Sequence, residues 1–291
     1  MSGPVETHGI VVAVDDSSAS NAAVSWAAVD AALRNIPLTV IHAVQTPTAT
    51  WPPVAYPDAL ATKLEVDGKR AVLNAMKIAQ EAMPTDRQVP IKRDLLFSSP
   101  GLALIKMSDE AEMIVMGNSG RGLLFKSVLG SVSSNVVRHA KCPVAVVHED
   151  SRDQPGAPVL VGIDGSPASE AAERIAFDEA SHRGVDLIVL HAWSDVGVAD
   201  VPGLDWSAVQ ADAERSFAES LTGWQERYPD VTVQSVLVRD RPARALIEHA
   251  ESAQLVVVGK NGRGGMRGML GSVSHAVLNA VRKPVIVARP K

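Results

Sequence analysis

The feature that most constrains this chain is a strand, loop and helix pattern that occurs twice. Gly117-Asn118-Ser119-Gly120-Arg121-Gly122 follows the apolar run Met113 to Met116 and closes at Gly130-Ser131, where an amphipathic stretch to Ala140 begins. Two residues separate Gly117 from Gly120, and nine separate Gly120 from Gly130. The second copy, Gly259-Lys260-Asn261-Gly262-Arg263-Gly264-Gly265, follows Leu255 to Val258. It closes at Gly271-Ser272 with eight residues in place of nine. A glycine-rich loop between a buried strand and a helix start has the parts of an anion site. The glycines are expected to take positive φ and let the backbone approach a ligand. The amides of the turn and of the first helical turn then converge on one point. Ser131 and Ser272 are expected to cap their helices and offer a hydroxyl to a phosphate oxygen. Val132 and Ser133, and Val273 and Ser274, continue those first turns. Arg121 and Arg263 are the natural counter-charges, with Lys126, Lys260 and Arg267 as weaker candidates.

The repetition extends beyond the loops. Gly162-Ile-Asp164-Gly-Ser166-Pro-Ala-Ser169 matches Ala13-Val-Asp15-Asp-Ser17-Ser-Ala-Ser20, and His191-Ala192 matches His42-Ala43 in the same register. Between the halves, Glu149 to Pro158 is polar, with two prolines and a glycine, and reads as a linker. A length of 291 residues suits two domains, placed at residues 1–150 and 157–291. Within the first, short β-branched runs at Ile10–Val14, Leu38–Val44, Ile91–Phe97, Met113–Met116 and Val144–Val147 alternate with helical stretches. That alternation predicts an α/β fold with a parallel sheet and right-handed crossovers. The helix predicted over Asp58 to Met83 carries Leu60, Leu64, Ala71, Ala75 and Ile78 on one face. In the second half Phe217, Leu221, Trp224 and Tyr228 form the equivalent core stripe.

Composition narrows the function classes. A net charge of −5 and an aromatic content of 4% argue against nucleic acid as a partner. No apolar run reaches the roughly 20 residues of a membrane helix, and the N-terminus lacks a signal-peptide pattern. The one cysteine, Cys142, suits a reducing compartment, so the expected location is cytoplasmic.

Together these residues resemble the universal stress protein family in its tandem ATP-binding form, over nearly the whole chain. Gly117, Gly120, Gly130 and Ser131 fit the family's spaced-glycine motif. Gly259, Gly262, Gly271 and Ser272 fit it with one residue missing, and Asp15 and Asp164 match its aspartate at the end of the first strand. The resemblance implies two open, five-stranded parallel α/β domains with strand order 3-2-1-4-5, Rossmann-like and of the adenine-nucleotide alpha-hydrolase kind. It also implies ATP as ligand, two per chain, and pairing of the two halves through their fifth strands, with a homodimer above that. Whether magnesium accompanies the phosphates is left open.

In that strand order the crevice lies between strands one and four. Asp15 and Asp164 are then expected to accept a ribose hydroxyl or the adenine amine, with Ala13 and Gly162 as the pocket floor. The competing reading makes these aspartates helix caps, but Ser166-Pro167 already supplies that cap in the second half. Val44 and Trp193, ending the second strands, are expected to flank the adenine, and Asp195 lies within reach of a nucleotide. His42 and His191 read as core or pocket-wall residues. Enzymatic signatures are thin: there is no P-loop sequence, no Gly-x-Ser-x-Gly, and no zinc spacing among the eight histidines. The expected function is therefore nucleotide-dependent regulation of unidentified protein partners. The alternatives are a slow ATPase or phosphotransferase, and a nucleotide-free scaffold.

Overall fold

The computed structural model describes residues 8–44, 58–119, 129–151, 154–192, 206–263 and 269–290; for Asp58 and residues 206–210 only the backbone is described. The chain divides into two compact units, one ending at Ser151 and the other at Pro290.

In the first unit, β1 (Ile10–Ala13), α1 (Ser18–Arg34), β2 (Leu38–Ala43), α2 (Asp58–Ala82) and β3 (Ile91–Leu96) are followed by α3 (Pro100–Met107), β4 (Met113–Gly117), α4 (Ser131–His139) and β5 (Val144–Val147). Its strands are all parallel and lie in the order β3-β2-β1-β4-β5. Val12 is the pivot, paired with Val40 on one side and Val115 on the other. The second unit repeats this with β6 (Val159–Ile163), α5 (Pro167–Arg183), β7 (Leu187–Ala192), α6 (Trp206–Arg227), β8 (Val233–Val238), α7 (Pro242–Ala250), β9 (Leu255–Gly259), α8 (Ser272–Ala280) and β10 (Val285–Ala288). Its order is β8-β7-β6-β9-β10, again parallel. Numbered within each unit, both sheets have the predicted order 3-2-1-4-5.

Strands buried on both faces need apolar residues at successive positions, which is what Ile10, Val11 and Val12 supply at full burial. Helix α1 lies close on the sheet because its inner face is small: Ala23, Ala27, Ala28 and Ala31 are all fully buried. Ser17 caps it by accepting the Ser20 amide, and Ser166 caps α5 by accepting the Ser169 amide. Asn35 and Gly184 end the two helices in the left-handed conformation. Near each C-terminus sits a buried ion pair one turn apart, Asp30 with Arg34 and Glu179 with Arg183, both at 2.9 Å. Helix α2 departs from the predicted stripe. Leu60 is exposed, and the buried face runs through Ala71, Val72, Ala75 and Ala79. Trp224 of α6 and Tyr228, which follows that helix, stack on Phe177 of α5 at ring separations of 5.5 and 5.4 Å.

Candidate functional site

Where strand order reverses, neighbouring crossovers leave on opposite faces and a crevice opens beyond the strand ends. In the first unit the crevice between β1 and β4 holds a cavity of about 380 Å³. Ala13 and Asp15 line it from the end of β1, Ile41 and Ala43 from β2, and Pro100 and Leu104 from α3. Met116, Gly117, Ser119 and Gly130 to Ser133 also line it, with Val14, Ser20 and His42. The second unit has a matching cavity of about 490 Å³, lined by Gly162, Asp164, Leu190, Ala192, Pro242 and Leu246. Val258, Gly259, Asn261 to Arg263 and Met269 to Ser274 close it. Both volumes lie in the range of small-molecule sites.

The glycines act differently from the sequence expectation. None of the described motif glycines has a positive φ. Gly117 is needed for packing: a Cβ there would sit 2.8 Å from the main-chain carbon of Ala19 in α1, and Gly259 meets Ala168 of α5 in the same way. Contacts that short with main chain cannot be relieved by a rotamer change. Ser131 and Ser272 also differ from expectation, since each is the first residue inside its helix. The caps are Gly130 and Gly271, in extended conformation and with no side-chain bond to the helix amides. The Gly130 carbonyl already takes the first helical hydrogen bond, from the Ser134 amide, which leaves Ser131 inside the turn. Ser133 and Ser274 donate their hydroxyls to the carbonyls of Gly117 and Gly259, at 2.9 and 2.6 Å, and tie the helix start to the strand end.

The two aspartates are not helix caps, because Ser17 and Ser166 hold that position. Asp15 accepts from the amide and hydroxyl of Ser17, at 3.1 and 2.6 Å. Asp164 accepts from the Ser166 amide at 3.0 Å through one oxygen and from the Arg263 amide at 3.1 Å through the other. Both carboxylates line their cavities.

Other expected residues stand elsewhere. Val44 is buried and its amide donates to Leu96. From β2 the cavity is lined by Ile41, His42 and Ala43 instead, with Ile41 and Ala43 on one face because strand side chains alternate. Asn118 and Lys260 lie outside the cavity wall. Their main chains form struts: the Asn118 amide donates to Val147 and its carbonyl accepts from Gly130, as Lys260 does with Ala288 and Gly271. The Lys260 amine is half-buried; burial first, and neighbouring Arg289 second, pull its pKa down. The His42 and His191 rings bond the Val14 and Ile163 carbonyls through Nδ1. They pack toward Gly68 of α2 and Phe217 of α6, respectively. Gly120, Arg121, Gly122, Trp193, Asp195, Gly264 and Gly265, with Lys126 and Arg267, lie outside the described residues. The sequence reading missed the helix wall, Pro100 with Leu104 and Pro242 with Leu246. The four-residue spacing was the available signal, since it puts each pair on one helical face.

Among the described residues no helix is long and apolar enough to cross a membrane, and no cluster of three metal-ligating side chains occurs. The fold and the paired crevices define a tandem, doubly wound α/β protein with one cavity at the topological switch point of each unit. The chain belongs to the universal stress protein family, whose model matches residues 7–148 and 157–289. A universal stress protein of Mycobacterium tuberculosis is 59% identical to it, over 99% of each chain. A second from that organism is 48% identical with the same coverage. The crystal structure of a universal stress protein from Archaeoglobus fulgidus shares the fold, with a TM-score of 0.70 at 20% identity, covering 97% of this chain and 96% of its own.

Proposed function

We propose that each unit binds ATP and that occupancy governs the contacts of this cytoplasmic protein with partner proteins under stress. The observation that carries this reading is the recurrence, in both units, of one constellation around a nucleotide-sized cavity. One end of each cavity is apolar, with Ile41, Ala43, Pro100 and Leu104 in the first unit and Leu190, Ala192, Pro242 and Leu246 in the second. Such walls suit a planar base. The other end is the first turn of α4 or α8, capped by glycine rather than by an acidic or hydroxyl side chain. A helix start left in that state favours phosphate through its amides and its dipole, which amounts to roughly half a positive charge. Asp15 and Asp164 line the same cavities and are assigned as acceptors for a ribose hydroxyl or the adenine amine.

ATP is assigned as an effector rather than a substrate. The cavity carboxylates are already engaged by main-chain amides, and Ser133 and Ser274 are turned onto carbonyls. We assign none of these groups the role of a base at a terminal phosphate. The test has two parts. Acid-precipitated protein is expected to release adenine nucleotide, up to two per chain. Nucleotide-stripped protein is expected to gain about 2.7 kcal/mol at a site held at ~100 times its Kd, seen as a thermal shift with ATP and not with NAD. No released nucleotide and no shift would overturn the reading. Sustained hydrolysis above ~1 s⁻¹, at the low edge of ordinary enzymes, would make the protein an enzyme instead.

A further inference from the structure

The two sites differ at one corner. After β1 the chain turns through Asp16, which has φ +65°, and after β6 it turns through Gly165, which has φ +72°. Both residues occupy the same left-handed position, but one carries a side chain and the other does not. Asp16 directs its carboxylate to Asn74 of α2, which donates to it at 3.2 Å. At Gly165 the space is filled by Arg263. A Cβ on Gly165 would lie 2.7 Å from one terminal nitrogen of that guanidinium and 3.6 Å from its central carbon. Arg263 is also held at its main chain, where the amide donates to Asp164. Among the described residues no carboxylate forms an ion pair with its guanidinium, whereas Arg34, Arg183, Arg215 and Arg244 all have one. Arg263 lines the cavity together with Asp164 and the first turn of α8.

We propose that Gly165 makes the second site selective for the length of a phosphate chain, by leaving room for the Arg263 guanidinium beside the cavity. This rests on the nucleotide reading above and refines it. A guanidinium with uncommitted donors gains more from each added phosphate, through paired charge-assisted hydrogen bonds. The missing loop residue and extra glycines of the second copy argue for weaker binding there. The placement of Arg263 argues the opposite for triphosphates, through a charge-assisted hydrogen bond comparable in size with the cost of ordering one or two residues.

The experiment titrates the full chain, stripped of nucleotide, with ATP, AMP and adenosine by calorimetry, as wild type and as Arg263→Gln, Arg263→Lys and Gly165→Ala. Arg263→Gln is expected to weaken ATP at one of the two sites by about tenfold or more, with adenosine unchanged there. Arg263→Lys recovers part of the loss. Gly165→Ala reproduces Arg263→Gln because its methyl displaces the guanidinium; if that variant fails to fold, Arg263→Gln decides alone. Equal losses for ATP and adenosine, or no loss for either, overturn the inference while leaving the nucleotide reading intact. Wild-type protein that binds neither ATP nor adenosine overturns both.

Discussion

Replacing Gly117 by alanine tests whether this motif glycine exists for packing or for a ligand. The added methyl would lie 2.8 Å from the carbonyl carbon of Ala19, 2.9 Å from its Cβ and 3.0 Å from its oxygen. All three atoms belong to a buried helix fixed on the sheet, so α1 must move as a body. Overpacking of this kind costs about 1–3 kcal/mol, and contact with main chain puts Gly117→Ala at about 2–3 kcal/mol. Gly162→Ala is the control. Its methyl would meet only the tip of Leu246, which can turn aside, and the first unit carries Ala13 at that place; about 1 kcal/mol or less is expected. Both variants are unfolded in urea after removal of nucleotide, so that ligand effects do not enter. With a slope of ~2 kcal/mol/M, Gly117→Ala should lower the midpoint of the affected transition by about 1 M, and Gly162→Ala by less than half of that. Equal midpoints for Gly117→Ala and wild type would refute the packing argument and return this glycine to the ligand.

Two further outcomes follow from buried charge. Burial raises the Glu173 carboxyl above 4.5, opposed by hydrogen bonds from Ser169 and Trp224. A folded-state pKa above the unfolded one means that its stabilising contribution is present at low pH and lost as pH rises through the folded value. Glu173→Gln is therefore expected to exceed wild type in urea midpoint at pH 7, with the gap closing as pH falls below 4.5. Glu179→Ala removes a carboxylate that accepts from Arg183, a side chain only 9% exposed, and should cost about 1–3 kcal/mol; no loss by the same assay would show that this bond adds nothing to stability.

The alternation of strand and helix and the duplication were legible because they depend on local signals repeated twice, whereas the strand order, and with it the crevice, was implied by the family resemblance. β-branched runs, a serine before each first helix and an aspartate at the end of each first strand are all visible without neighbours in space. What escaped the sequence depends on contacts between distant segments. Nothing near Gly117 in the chain reveals that Ala19 lies against it. The wall at the end of β2 was assigned to Val44, but strand alternation turns Ala43 to the crevice and sends Val44 into the core. Ser131 was read as a cap because serine is a common one. Gly130 takes that place once its carbonyl is seen to accept the Ser134 amide. Asp16 and Gly165 look like an ordinary turn substitution until Asn74 and Arg263, far apart in sequence, are seen beside them.

The hydrogen bonds from Gly130 to Asn118 and from Gly271 to Lys260, 2.7 and 2.8 Å long, clasp each glycine loop at its base. The clasp fixes the helix start against the strand end whatever the number of residues between its two partners. Loop-closure entropy rises only as the logarithm of length, about 0.6 kcal/mol for each doubling. That is why one copy can lose a residue and keep the same clasp. It also marks the two loops as grafting positions, where a peptide or reporter could be spliced between Gly120 and Gly130, or between Gly262 and Gly271, and report on the cavity next to it.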